Sequence, residues 1–302
     1  MKKVKITSIL LSVLMLVLLV CGCSAKPTAE SLLKNGNKKL SDAKSLDMDL
    51  KGNFDIQMTI SGYNASVKAG IDTNFKYANE SKIAYMKGNV NYEMLGISKK
   101  LPIELYEALS EKSIETWTKI DNASKWEYAK QTADLSKYFG KEDVMSLYGN
   151  LDTIKDKFEL KKDKEEYNKT DCYVVSGKIT GADLKKSITD KDTKEVIDEL
   201  YNQYNLKDLS FDVKYYFDGK TKEPVAIKID MAKGIADLWK GIKESGKLPT
   251  EYKDADLSAK TMTFELIINS TNKNNDLKVP QEVKDNSNKS TDAASDFSSI
   301  LS

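Results

Sequence analysis

From residue 46 to residue 60 the chain reads LDMDLKGNFDIQMTI, and this stretch constrains the fold more than any other. Leu46, Met48, Leu50, Phe54, Ile56, Met58 and Ile60 occupy every second position, with Gly52 the only gap. Asp47, Asp49, Lys51, Asn53, Asp55, Gln57 and Thr59 fill the alternate set. Successive side chains of a β-strand point to opposite faces, so the pattern predicts one strand with one apolar face and one wet face. At about 3.4 Å per residue it would run on the order of 50 Å, roughly two to three times an ordinary strand. Such a strand must bend or belong to a large curved sheet, and Gly52 is the expected place for a bend or bulge.

The flanking sequence supplies partners. Ala29, Leu32, Leu33, Gly36, Leu40 and Ala43 keep helical spacing after the capping candidates Thr28 and Ser31, which predicts an amphipathic helix reaching Lys44. After the SGYNA turn signal, Val67, Ala69, Ile71, Phe75 and Tyr77 alternate back, closing an antiparallel hairpin. A third strand, residues 83–94, puts Ala84, Met86, Val90, Tyr92 and Met94 on one face. Beyond Pro102 the pattern loosens, with short strands at 114–120 and 125–130 and one or two helices carrying Leu135, Tyr138, Phe139, Leu147, Leu151 and Ile154. Strands return at 158–162 and 171–180, and 182–204 reads as a second amphipathic helical region. Leu209, Phe211, Val213, Tyr215 and Phe217 then alternate, 218–224 turns, and Val225, Ile227, Ile229 and Met231 alternate back. A helical or loop insert around Trp239 precedes a last strand with Met262, Phe264, Leu266 and Ile268.

The first residues read as an address. Lys2, Lys3 and Lys5 precede an apolar run, 6–20, and then Val20-Cys21-Gly22-Cys23. This resembles the lipobox of bacterial lipoproteins. Cys23, behind the small Gly22, is the expected lipidation site, and diacylation there would supply the two chains that stable anchoring requires. The alternative is an ordinary signal peptide or an uncleaved anchor helix, for which the run is short. The expected organisation is a signal peptide at 1–22, a lipidated tether at 23–27, one domain at 28–283 and a polar, disordered tail at 284–302.

Composition removes several functions. With the signal gone, 44 lysines face 46 acidic residues, a net charge near −2, which gives no reason to expect nucleic acid. The chain has no histidine and no arginine, the mark of an AT-rich, Gram-positive genome. Histidine bases, histidine metal ligands and arginine phosphate forks are therefore missing. Only Cys172 remains of the cysteines, in a strand-like run, and is expected to be a small buried hydrophobe. Gly219-Lys220-Thr221 mimics the end of a phosphate loop but sits in a hairpin turn. Ser31/Lys34 and Ser41/Lys44 match Ser-x-x-Lys without its companion elements. The pairs Asp47/Asp49, Asp190/Asp192 and Asp254/Asp256 lack the glycine and spacing of a calcium loop. No enzymatic activity, metal or cofactor is expected.

A helix close behind a lipidated cysteine, a long strand entered through KSLDMDL, a YYFDGKTKEPVAIKID hairpin and a final DLKVPQEV together resemble the LolA/LppX/LprG-type superfamily of envelope lipoproteins, in particular its uncharacterised Gram-positive members. The resemblance implies an α+β fold: a strongly curved antiparallel half-barrel with amphipathic helices on its concave face and a hydrophobic cavity between them. It also implies a lipid or other hydrophobic ligand, carried or sensed at the extracytoplasmic face of the cell membrane. Leu50, Phe54, Ile56, Met58, Phe75, Tyr77, Met86, Tyr92, Met94, Phe211, Tyr215 and Phe217 are the candidate cavity residues. The alternative is the same scaffold with a filled core, serving as an interaction module for another envelope protein.

Overall fold

The computed structural model describes residues 27–60, 62–94, 96–132, 155–187, 209–246 and 252–289, with isolated positions 195, 198, 201 and 202. Helix α1 (Ala29–Ser41) opens the fold. Thr28 caps it reciprocally: Ser31 N donates to Thr28 Oγ1 at 3.0 Å, and Thr28 N donates to Ser31 Oγ at 2.8 Å. Two otherwise orphaned donors are satisfied this way, worth on the order of 1 kcal/mol. Leu32, Leu33, Gly36 and Leu40 form its buried stripe.

The chain then enters β1 (Ser45–Ile60), which is followed by β2 (Tyr63–Ala78), β3 (Ile83–Met94), β4 (Ile97–Ser110), β5 (Ser113–Ile120) and β6 (Trp126–Thr132), a meander of antiparallel hairpins. After residue 154 come β7 (Phe158–Leu160), β8 (Glu165–Tyr167), β9 (Thr170–Thr180) and the short α2 (Gly181–Ser187). The β10 (Ser210–Asp218) and β11 (Pro224–Asp230) hairpin, α3 (Ala232–Glu244), β12 (Asp256–Thr271), α4 (Gln281–Asp285) and β13 (Ser287–Lys289) complete the described elements.

All the described strands join one open, curved sheet, in the order β13-β6-β5-β4-β3-β2-β1-β12-β11-β10-β9-β7, with β8 also on β9. Strand β1 lies in the middle. It pairs with β2 without interruption from Ser45↔Ala78 to Ile60↔Tyr63, and with β12 from Leu46↔Thr271 to Thr59↔Asp256. The expected irregularity is present but displaced. The register shifts lie between Asp47/Met48 and Asp55/Ile56, where β12 carries one extra residue each time, while Gly52 stays in register with Ile71 and Phe264. What Gly52 provides is room. A Cβ there would meet the Phe54 ring at 2.9 Å, and that ring packs edge-on against Phe264 with centroids 5.0 Å apart.

Strand β4 was not legible in the sequence, because Lys99, Lys100 and Pro102 break its alternation. Pro102 is tolerated for a local reason. Its carbonyl accepts from Asp121 N at 2.9 Å on the side where β5 has already ended, and a strand residue's N and C=O point the same way. The missing N–H therefore falls opposite the turn after β5, just beyond the end of the β4–β5 ladder.

Two faces follow from the register. The main hydrophobic core lies on the α1 face of β1 and β7–β12, where Leu32, Leu33 and Leu40 meet Val175, Val213, Tyr215, Phe217, Ile227, Ile229 and Leu266. On the opposite face, Trp117 and Trp126 are covered by Val279 and Val283 of the segment that follows β12. That segment is pinned where it starts: Asn272 N donates to Ser45 O at 2.8 Å and Asn274 N to Ser45 Oγ at 2.9 Å. It ends as β13, parallel to β6. Regular structure thus continues through residue 289, six residues past the boundary expected from composition, because Val283 is anchored on the two tryptophans and Trp126 N donates to Asn286 O at 3.0 Å. The helices expected around Leu135 to Ile154, and most of 182–204 beyond α2, lie outside the described residues.

Candidate functional site

The apolar face of β1 extends sideways as rows of paired residues. One row is Met48, Phe75, Met86 and Leu105; a second is Leu50, Thr73, Gly88 and Ile103; a third is Gly52, Ile71, Val90 and Leu101; a fourth is Ile56, Val67, Met94 and Ile97. The other face of the same strands carries Asp49, Asn74, Lys87 and Glu104, or Lys51, Asp72 and Asn89. The sheet is therefore two-sided in chemistry well beyond the core under α1.

The twelve candidate residues divide between two settings. Phe211, Tyr215 and Phe217 belong to the core under α1, with Tyr215 4 % and Phe217 2 % exposed. Leu50, Phe54 and Phe75 sit half-buried at its margin. Ile56, Met58, Tyr77, Met86 and Tyr92 are half-buried on β1–β3, and Met94 is 41 % exposed. The register puts the β1–β3 set on the same face as Tyr215, with Leu50, Phe54 and Phe75 packed against the core that holds the β10 trio and the others farther out on β1–β3.

Between α1 and the β10–β11 hairpin lies a cavity of about 10 Å³, lined by Leu33, Gly36, Asn37, Leu40, Tyr215, Phe217, Pro224 and Ile227. That holds one water and no lipid. The buried Tyr215 hydroxyl and Asn37 Oδ1 border this space, and neither has a hydrogen-bond partner among the described residues. A water there would serve both, and burial alone pushes the Tyr215 hydroxyl pKa upward.

Four polar groups interrupt the apolar face of β2–β4: Thr73, Tyr77, Glu107 and Lys99, the last in a row with Phe54, Ala69 and Tyr92. Thr73 is buried, with no partner for Oγ1 among the described residues. Beside it Gly88 allows a close approach of strands, since a Cβ would meet Asp72 O at 2.1 Å and Thr73 Cα at 2.5 Å. Tyr77 and Glu107 share a row with Leu46 and Ala84, and burial raises the pKa of both. A largely apolar surface with a few embedded polar groups is the usual chemistry of a ligand-binding face. Sequence reasoning missed Glu107 because it missed β4. The signal was there: Ile103, Leu105, Glu107 and Leu109 alternate, and Glu107 stands where an apolar residue belongs.

No family model matches the chain, and no curated protein is similar to it. Among solved structures it is similar to LprF from Mycobacterium bovis, at 12% identity over 84% of this chain and 96% of that one, with a TM-score of 0.39. It is also similar to a DUF1329 family protein from Desulfovibrio piger (10% identity, 80% and 90% covered, TM-score 0.22). A beta-barrel-like protein of domain of unknown function DUF1849 from Brucella abortus matches at 9% identity, with 74% and 97% covered and a TM-score of 0.21. At TM-scores below 0.5 these likenesses decide neither family nor function.

The remaining chemical candidates have structural duties. Asp47 and Asp49 both accept from Asn74 Nδ2, at 2.8 and 2.9 Å. Burial opposes the Asp47 charge, but Asn74, Asn269 at 3.3 Å, Lys76 at 3.5 Å and Asn274 at 3.3 Å outweigh it and hold its pKa below the ordinary value. Asp47 thereby ties β1 to β2, β12 and the segment beyond. Gly219-Lys220-Thr221 is a turn, closed by Asp218 Oδ1 accepting from Lys220 N and Thr221 N at 2.7 Å each. Cys172 is fully buried, and burial pushes its thiol up to about 11, away from reactive thiolate. Among the described residues no group of three or more Cys, Asp or Glu side chains stands where it could hold a metal ion. Asp190 and Asp192 lie outside the described residues.

Proposed function

We propose that this protein is a lipoprotein tethered through Cys23 to the extracytoplasmic face of the cell membrane, where its sheet forms a half-barrel that binds a lipid or another amphiphile. The supporting observation is the largely apolar face of β1–β4, half-buried at Phe75, Met86, Val90 and Tyr92 and closed at Met48, Leu101 and Ile103, with Thr73, Tyr77, Lys99 and Glu107 set into it. An acyl chain would lie along the Met and aromatic rows, and the embedded polar groups would orient its head. Affinity in such a site comes from apolar burial, at roughly 25 cal/mol per Å² removed from water. The site is β1–β4 and not the space under α1, whose cavity has room for one water. Lipid extraction of the purified protein followed by mass spectrometry tests the reading. A stoichiometric lipid supports it, and an extract with no apolar molecule, joined to flat titrations with a fluorescent fatty acid, removes it.

The filled core under α1 favours a second reading, in which the same face receives another envelope protein. In that case in-cell crosslinking from Met86 or Tyr92 would recover a protein and no lipid.

A further inference from the structure

The two ends of the sheet differ in chemistry. At one end lie the β2–β3 turn (79–82), the β4–β5 turn (111–112), the β10–β11 turn (219–223) and residues 272–276 after β12, and all of these are polar. At the other end lie the β1–β2 and β3–β4 turns and the entry to β12, whose Asp256 faces Thr59 near the tip of β1. Here stand Tyr63, Met94, Ile97 and Tyr252, at 82, 41, 68 and 44 % exposure. They are all of the exposed large hydrophobic side chains among the described residues. Surface hydrophobics scattered singly need no explanation, but four gathered at one end of a sheet do.

We infer that this end of the sheet inserts into the interfacial layer of a lipid bilayer. The side chains fit that occupant: tyrosine places an apolar ring and a polar tip across the headgroup boundary, while Met94 and Ile97 supply apolar depth. Lys99 and Lys100 follow Ile97 after Ser98; Lys99 pairs with Asp121 at 3.7 Å, and Lys100 is placed to meet anionic headgroups. Glu93 and Asp256, acidic groups at the same end, are paired with Lys68 at 3.0 Å and Lys243 at 3.4 Å. Gly62 and Gly96 take φ of +83° and +79°, which allows narrow turns that penetrate with little bulk.

The tether points the same way. The last turn of α1 is at the polar end, where Lys39 pairs with Glu223 and Leu40 lies by Pro224. Its first turn lies toward mid-sheet: Glu30 pairs at 2.7 Å with Lys155, just before β7, whose Phe158 faces Gly177 and, through it, Val213. The helix therefore starts on the side facing the apolar end. Cys23 precedes Pro27 by four residues, a reach of about 14 Å, against about 27 Å for the eight residues from Gly52 to Ile60, so tether and apolar end meet one bilayer with the sheet tilted on it. This part of the inference rests on the tether proposed above; the exposure of the four side chains does not.

The test uses the full chain reconstituted into vesicles of phosphatidylcholine and phosphatidylglycerol, with Tyr63→Trp, Ile97→Trp or, at the polar end, Glu111→Trp. Emission is compared with the parent, whose Trp117, Trp126 and Trp239 give a constant background, and dichroism confirms that each variant keeps the parent fold. The added emission at 63 and 97 is expected to shift to the blue and to be quenched by brominated lipids, while that at 111 does neither. Equal quenching at all three positions, or none at any, overturns the inference. A blue shift without bromolipid quenching also overturns it, since a second copy or a protein then covers this end. A chain that floats with vesicles but fails the quenching keeps its tether and loses this orientation, whereas an extract without lipid removes the ligand reading and leaves the quenching result standing.

Discussion

Under α1, the inward side chains of β9–β12 are shut in: Val175, Tyr215, Phe217 and Ile227 have almost no exposed surface. On β2 and β3 the same alternation leaves Ile71, Phe75, Met86, Val90 and Tyr92 half-buried. Among the described elements the difference tracks what lies above each half. The principal contacts of α1 are with β7, β9 and β10, and those of α3 with β10 and β12. Strand alternation makes an apolar face, and only a covering element makes it a core. The half under α1 therefore holds the larger closed core, while the other mixes half-buried side chains with the buried Leu101 and Ile103.

The sharpest way to break this comparison is to truncate one side chain from each half. Phe217→Ala should cost about 3–5 kcal/mol in denaturant unfolding and Phe75→Ala less than half of that, because the first opens a closed core and the second trims a partly wet surface. Equal losses would mean that both halves are core. Binding should show the reverse. Met86→Lys should weaken a fluorescent fatty acid by tenfold or more, about 1.4 kcal/mol, with little change in stability. Unchanged affinity would move the site off this face.

Glu107 gives a pH signature to the half-covered side. Its folded pKa is raised by burial, so the native state holds the proton more tightly than the unfolded chain does. The stability this contributes is fully present below the ordinary carboxyl pKa and is lost as pH rises through the raised value. Glu107→Gln should remove that part of the decline in urea midpoints measured across the acid range; an identical slope in the variant would place Glu107 in water. Asp47 has the opposite sign, since its lowered pKa contributes stability that is lost only as pH falls through that value. The smallest effect belongs to Tyr215→Phe. With a water bridging Tyr215 and Asn37, losing the hydroxyl should cost about 1 kcal/mol or less, and a clear gain in stability would show the cavity dry.

How much of this the sequence shows depends on how regular the pattern is. The even positions of β1 face Phe75, Ile71, Leu266 and Phe264 as the alternation predicts, and α1 ends within three residues of its expected limit. Strand β4 was hidden because Pro102 and two lysines interrupt it, and that concealed Leu101, Ile103 and Glu107. The bend was expected at Gly52, where a side chain is missing; the bulges came at Asn269 and Lys260, whose extra residue is visible only once β12 is paired with β1. The candidate site was legible as a face but not as two halves, since nothing in the alternation of β10 says that α1 lies on it and not on β3. The apolar turns at one end were written plainly as ISGY and MLGI, yet their meaning depends on both falling at the same end of one sheet.

The most direct test of the account is photocrosslinking of the purified full chain with a diazirine-bearing fatty acid, followed by peptide mapping. Labels on Phe75, Met86, Tyr92 and their neighbours on β1–β4, with none on Phe211, Tyr215 or Phe217, are the predicted result. Labels confined to the β10 trio, or no saturable labelling anywhere, would contradict it.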